Sequence, residues 1–340
     1  MISGFWESIF SFIVSGAGAG ITLFYARRAG LVDVPNHRSS HSIPTPRGGG
    51  IALVGSVIAV GGYEFLRLGH KLHPLYAFLS VSILALAIVG WLDDRRPVAI
   101  SLRLSIHLAC GISIALLVNQ IAPMPGAVKI VWIAWWFFWT VASINIVNFM
   151  DGIDGMVAFQ GIVYGVFLFA LLGSPLTGAR FGLILAAACF GFILWNWAPA
   201  KMFMGDVGSG PLGLFFAIGG ALALKGAPPA VVFLPLFPLY LDAFLTLIIR
   251  FRRGDRLTDA HRSHLYQRLA NSGYGHGVVT CAYALAAAIG AAVALLMKDA
   301  SATVMTVGIC AYVFAVGIFW KLADTRFTGR FKLTTATQKE

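Results

Sequence analysis

The chain has 340 residues, 58% hydrophobic and only 11% charged, with 25 Lys and Arg against 14 Asp and Glu for a net charge of +11. A soluble domain carries about 25% charged residues, so this composition, with a mean hydropathy of +0.81, excludes that class and points to a polytopic membrane protein. The positive excess is spread over short segments between apolar runs and builds no compact basic domain, which argues against nucleic acid as a partner.

Crossing hydrocarbon takes roughly 20 apolar residues per helix, and about eleven such stretches follow one another. They lie near 5–25, 49–66, 75–91, 104–121, 128–144, 157–173, 181–198, 210–224, 229–249, 277–297 and 302–320. The predicted fold is therefore an all-α, polytopic integral membrane helical bundle, one domain over residues 1–340. The first stretch lacks preceding positive charge and is followed by Arg27 and Arg28, so it is expected to stay in the mature protein. Drawn this way, 19 of the 25 Lys and Arg fall on one side and 6 on the other. By the positive-inside rule the rich side is cytoplasmic, with the N-terminus outside and the C-terminus cytoplasmic. The cytoplasmic loops are then those near 26–48, 92–103, 145–156, 199–209 and 250–276. Cys110, Cys189, Cys281 and Cys310 stand alone inside apolar spans, without metal-ligand spacing, and read as packing residues.

Polar motifs gather at the cytoplasmic ends of these spans. Pro44, Thr45 and Pro46 form a rigid extended entry that aims Arg47 at the face where the acids lie. The glycines after it follow no strand, so they are not a dinucleotide fingerprint. Asp93 and Asp94 end the third span; two unit charges at ~4 Å repel by about 4 kcal/mol at an effective dielectric near 20. Inside a cleft such a pair needs a cation or a raised pKa, and it suits general-base and metal-positioning work. In isolation the same string would read as a solvated loop.

Asn145, Asn148, Asp151 and Asp154 recur every third residue. On a helix they share one arc and line a wet cleft; a capped helix end is the plainer alternative, but a cap needs fewer polar groups. Asp206 or Ser209 caps the next span, whose free N–H groups attract phosphate oxygens. No Walker loop is present. His261, Arg262, His264, Tyr266, Gln267 and Arg268 in the 250–276 loop suit sugar hydroxyls and phosphates. His107, His70 and His73 read as structural, and Asp242, well inside a span, must face protein or water.

Taken in order, the segment from Asp33 to Gly50, the Asp93-Asp94 pair, Asn145 to Gly155, Phe203 to Ser209 and the His264 loop resemble the polyprenyl-phosphate N-acetylhexosamine-1-phosphate transferases. The resemblance covers nearly the whole chain. It implies that Asp206 and Asn148 are ligands of Mg²⁺, with Mn²⁺ as an alternative ion. It also implies that Asp93 and Asp94 deprotonate or position a lipid phosphate, and that Asp151 and Asp154 are the acids of an Asp-Gly-x-Asp-Gly motif. Phe203 matches a residue that stacks on uracil and Asn196 a nucleotide contact; in the last loop only the catalytic His264 and the substrate-binding Arg262 carry over cleanly, while Asn145, Arg47, His261 and Gln267 join the substrate-binding set on their own chemistry. Family members usually carry further histidines where this chain has Tyr266 and Gln267, in a loop associated with sugar choice. That variant resembles the branch that begins O-antigen chains.

The activity implied is Mg²⁺-dependent transfer of an N-acetylhexosamine 1-phosphate, a 6-deoxy sugar among the candidates, from a UDP-N-acetyl sugar to undecaprenyl phosphate with release of UMP. The expected setting is the bacterial inner membrane, with the lipid bilayer as partner, a homodimer as a further arrangement and the active site facing the cytoplasm. The rival reading is a secondary transporter with a carboxylate relay, but transporter sites lie near the midplane on broken helices, and these acids lie at span ends.

Overall fold

A computed structural model describes residues 4–35, 43–67, 74–173, 177–256 and 261–337, with side chains described as far as Arg326. The long helices are α1 (Phe5–Ala29), α2 (Gly50–Arg67), α3 (Pro74–Asp93), α4 (Ile100–Ile121), α5 (Val128–Met150), α6 (Met156–Leu172), α7 (Thr177–Asn196) and α8 (Asp206–Ala223). A broken span follows, made of α9 (Pro229–Val232), a 3₁₀ turn at Leu234–Leu236 and α10 (Phe237–Arg252). A short α11 (Leu265–Leu269) precedes α12 (His276–Met297) and α13 (Ala302–Thr337). Among the described residues ten of these helices are long and apolar enough to cross a membrane, counting the broken span as one. α6 is as apolar but only 17 residues long.

Helices are the expected form because a spanning segment must satisfy every backbone N–H and C=O within itself. Their outer faces carry Trp6, Ile21, Phe138, Leu296 and Phe314, all well exposed, which only a hydrocarbon solvent tolerates in such numbers. α8 is the axle of the bundle. It is buried along almost its whole length and touches α2 through α7. Small residues permit this: a Cβ on Gly90 of α3 would stand 2.3 Å from the Asp206 carbonyl oxygen, so only glycine lets the two helices meet there.

A two-stranded antiparallel pair, β1 (Val32–Asp33) and β2 (Thr45–Pro46), sets Val32 opposite Pro46. The Phe203 N–H then donates to the Pro46 carbonyl (2.8 Å), while Gly49 and Gly50 donate to the carbonyls of Phe203 and Met204 (3.0 and 2.9 Å). The extended entry is thereby stitched to the turn that starts α8.

Two segments differ from the sequence expectation. α5 continues to Met150, so Asn145 and Asn148 lie on its last turns and not in a loop. Asp151 leaves the helix at φ −83, ψ 46, so the four-residue polar arc holds on the helix for the two asparagines alone. Within the 250–276 segment the chain is helical at both its start and α11. Cys110 and Cys189 are buried, but Cys281 and Cys310 are exposed on the outer surface, where lipid and not core would surround them. His70 and His73 lie outside the described residues.

The alternation of helices predicts sidedness. In a variant without native cysteines, Arg96→Cys and Arg253→Cys, both at exposed positions, should react with an impermeant maleimide from one face of the membrane. Lys225→Cys and Asp299→Cys should react only from the other. Labelling of Asp299→Cys from the same face as Arg96→Cys would break the helix count.

Candidate active site

The site is built around the start of α8. Asp94, one residue beyond α3, accepts the N–H groups of Asp206 (2.9 Å) and Val207 (3.1 Å). It thus caps a helix whose own N-cap, Gly205, has no side chain to do so. Arg47 bridges outward from the stitched entry, with Nε 2.7 Å from Asp94 and a terminal nitrogen 2.8 Å from Asp206. Burial pushes the Asp94 carboxyl up to about 6; Arg47 and the two N–H groups oppose the rise, while Asp206 adds to it by like charge. Burial also works against the Arg47 cation, yet Asp94 and Asp206 outweigh it and its pKa is raised. Asp151 is raised well above the carboxylate range by burial first, with Asp206 and Asp94 repelling and Arg47 opposing.

Behind this cluster a cavity of about 20 Å³ is lined by Asp93, Arg103, His107, Asn148 and Asp206 together with apolar residues of α3, α5 and α8. Such a volume holds a single water or ion. Asp93 accepts from Arg103 (2.8 Å) and from the Val98 N–H (2.7 Å), and lies within hydrogen-bonding reach of Asp206. Asn148 donates to the Ser209 hydroxyl at 3.0 Å, which leaves its amide oxygen as the group it can offer a cation. No cluster of three or more His, Cys, Asp or Glu with ligand spacing occurs among the described residues. The donor set here is two carboxylates and an amide, which suits Mg²⁺, an ion commonly held by one or two carboxylates plus substrate phosphates and water.

Arg103 and His107 are the residues that sequence reasoning missed. They stand four apart on α4 and so share a face, which was the available signal. His107, read as structural, lines the cavity, and the Asn145 amide donates to its Nδ1 (3.1 Å) and to the Val141 carbonyl (2.7 Å). Asn145 is therefore joined to the cavity lining through His107.

Two expected site residues are occupied elsewhere. Asn196, expected to touch nucleotide, is buried with both ends of its amide engaged, by the Gly155 N–H (3.1 Å) and the Met202 carbonyl (2.9 Å). Asp154 accepts from the Ala200 N–H (3.0 Å) and faces His276 Nδ1 (3.2 Å), while the Thr280 hydroxyl bonds its carbonyl (2.8 Å). Both residues lock the turn after α5 to its neighbours. Phe203 is half-buried beside Arg47, held by its backbone.

The His264 loop reaches the same region. The Tyr266 hydroxyl donates to the Phe149 carbonyl (2.9 Å) over Gly152, and the ring is fully buried. Tyr266 is therefore a docking residue, which corrects its assignment to sugar contact. The His264 ring stacks on Tyr266 and leans on His261, at centroid distances of 5.8 and 4.8 Å. Burial lowers both imidazoles, His261 to about 4 and His264 also downward, so both are neutral at neutral pH. His264 Nδ1 and Gln267 Oε1 are buried without a partner among the described residues, which is costly unless a ligand supplies one. Arg262, half-buried at the start of this loop, keeps its place in the candidate set.

The fold and site together describe an all-α membrane protein with carboxylates and guanidiniums converging at one end of its spans. Residues 76–225 match the family model of glycosyl transferase family 4. The chain is 27% identical over 300 residues to a "probable undecaprenyl-phosphate N-acetylglucosaminyl 1-phosphate transferase" of Bacillus subtilis, covering 81% of this chain and 80% of that one. Its identity to the decaprenyl-phosphate N-acetylglucosaminephosphotransferase of Mycobacterium tuberculosis is 28% over 302 residues, with 78% and 75% covered. The undecaprenyl-phosphate alpha-N-acetylglucosaminyl 1-phosphate transferase of Thermotoga maritima is 24% identical over 274 residues, with 77% and 80% covered.

Gly205 provides a test of the cap. Its φ of 76 and ψ of 170 belong to glycine, and a Cβ would stand 2.4 Å from an Asp94 oxygen. Gly205→Ala should therefore lower stability by about 1–3 kcal/mol in thermal melts of the purified protein. It should also reduce activity further than Gly48→Ala, which shares the positive backbone φ (97°) but where a Cβ meets nothing within 4 Å. Equal behaviour of the two variants would show that Asp94 does not need this approach.

Proposed function

We propose that the chain transfers an N-acetylhexosamine 1-phosphate from a UDP-sugar to undecaprenyl phosphate, releasing UMP and starting a lipid-linked surface glycan such as O-antigen. The coarser part, a polyprenyl-phosphate N-acetylglucosamine-1-phosphate transferase, is what the names of its relatives indicate. The observation that carries the reading is the joining of Arg47, Asp94 and Asp206 at the start of α8, next to a cavity lined by Asp93 and Asn148. Four carboxylates, Asp93, Asp94, Asp151 and Asp206, stand against two guanidiniums, Arg47 and Arg103, so the cluster is short of positive charge.

In the reaction an oxygen of the lipid phosphate attacks the β-phosphorus of the nucleotide sugar. A new P–O bond forms there, the bond to the bridging oxygen breaks, and its electron pair leaves with UMP. Asp206 and Asn148, with Asp93 beside them, would hold Mg²⁺ or Mn²⁺, which when bound neutralises diphosphate oxygens and steadies the leaving group. Asp93 or Asp94 receives any proton on the lipid phosphate. Arg47 compensates the charge that builds between the two anionic substrates. Phe203, at the half-buried rim, offers a face for the uracil ring, and His261, Arg262, His264 and Gln267 are the candidates to contact donor sugar and phosphate. N-acetylglucosamine and its 6-deoxy relatives are the donors to try first.

The Lys and Arg excess favours a cytoplasmic position for this face, with the N-terminus outside, in a bacterial inner membrane. A homodimer is compatible with the exposed apolar faces. The transporter reading is disfavoured by Asp242, the acid deepest in a span, whose oxygens are fully used by protein donors.

Asp206→Asn should lower UMP release by at least about a thousandfold in detergent-purified protein supplied with undecaprenyl phosphate, Mg²⁺ and a UDP-sugar panel. Chelation with EDTA should abolish wild-type turnover, and Mg²⁺ should restore it. Activity of Asp206→Asn within tenfold of wild type at saturating Mg²⁺ would remove Asp206 from the site.

A further inference from the structure

Asp242 is completely buried inside the broken span, yet five donors converge on its carboxylate. The N–H groups of Leu265 and Tyr266 donate at 2.8 and 3.1 Å, and the Tyr283 hydroxyl at 2.7 Å. The Trp320 indole donates at 3.1 Å and the Thr246 hydroxyl at 3.3 Å. These donors come from α10, α11, α12 and α13. A buried charge of this kind costs several kcal/mol unless it is fully hydrogen-bonded, and here the bonding fastens the backbone of α11 to three longer helices.

The consequence falls on His264. It holds the N-cap position of α11 but makes no side-chain cap bond, because a carboxylate from 22 residues earlier already takes the first N–H groups. The imidazole makes no cap bond, although it hydrogen-bonds the backbone of Asp242, and its Nδ1 is left over. Its Nδ1 and the Oε1 of Gln267, three residues on and on the same side of the helix, are buried acceptor-capable atoms that lack a partner among the described residues and can meet a ligand. Tyr266, between them, ties the segment to Phe149 at the end of α5, two residues before Asp151.

Resting on the transfer reading above, we propose that Asp242 is a positioning residue for the nucleotide-sugar donor. Its carboxylate substitutes for a local cap, fixes α11 against α12 and α13, and so presents His264 and Gln267 to the donor without touching it. Trp320 makes the last helix part of that support.

The test uses the full-length protein in lipid nanodiscs, with UMP release followed against each substrate separately. Asp242→Asn should lower kcat/KM for the UDP-sugar by about tenfold or more, the scale of a lost charged hydrogen bond, and leave the KM for undecaprenyl phosphate unchanged. Trp320→Phe should shift the same parameter less. In the Asp242→Asn, His264→Ala double variant the second change should add little, because both act through one imidazole. Losses that multiply, or an acceptor KM that moves with the donor's, would overturn the proposal.

Hydrogen exchange supplies a readout that needs no turnover. The amides of Leu265 and Tyr266 should exchange faster in Asp242→Asn and in Trp320→Phe, with α1 and α7 unchanged; unaltered exchange at those two amides overturns the proposal. Should Asp242→Asn not fold, Trp320→Phe carries both measurements. A wild-type protein that releases no UMP from any UDP-sugar would sink the transfer reading, while exchange would still decide whether Asp242 holds α11.

Discussion

Asp94 receives the first two N–H groups of α8 on one side and the Arg47 guanidinium on the other. That one carboxylate joins segments that are far apart in the chain: the entry to α2, the end of α3 and the start of α8. A helix N-terminus carries partial positive charge and unsatisfied donors, and at a membrane face burial makes both more demanding. Asp94 satisfies the donors, and Arg47 offsets the charge that Asp94 brings. With that arrangement in place, Asp206 is held at the first position of α8 with one oxygen on Arg47, and the cavity behind it acquires its lining.

The cluster is balanced incompletely, and that imbalance is chemically useful. Burial and mutual repulsion raise the Asp94 and Asp151 carboxyls, a sign that the site would accept more positive charge than Arg47 and Arg103 supply. A phosphoryl-transfer site needs this character, since its substrates bring negative charge along with any cation that accompanies them. The apolar bundle around α8 contributes by excluding water and fixing the carboxylates before substrate arrives.

The second half of the chain approaches the acids by a different device. The Asp242 carboxylate, α11 and the Tyr266 hydroxyl form a chain of hydrogen bonds from α13 to the end of α5. Asp154, Asn196, His276 and Thr280 brace the same turn from α7 and α12. Polar residues that sequence reading places together in one site thus divide into two kinds. Asp93, Asp94, Asp151 and Asp206 gather at the start of α8, while Asp154 and Asn196 brace the turn after α5.

Hydropathy by itself determined the all-α membrane bundle, the approximate position of each span and the gathering of polar motifs at span ends. The cost of exposing backbone or charge to hydrocarbon leaves a chain of this composition few alternatives. Family likeness, read from Asp93-Asp94, Asn145 to Gly155 and Phe203 to Ser209, supplied the candidate chemistry. Only the tertiary structure decided which neighbours meet. A three-residue spacing cannot reveal that α5 ends at Met150 and turns Asp154 toward Ala200 and His276. Nor can it show that Arg103 and His107 reach the cavity, or that Asp242 caps a helix that starts 23 residues later. These facts depend on contacts across the bundle, where glycines such as Gly90 set how closely two helices approach, and local sequence carries no record of the partner.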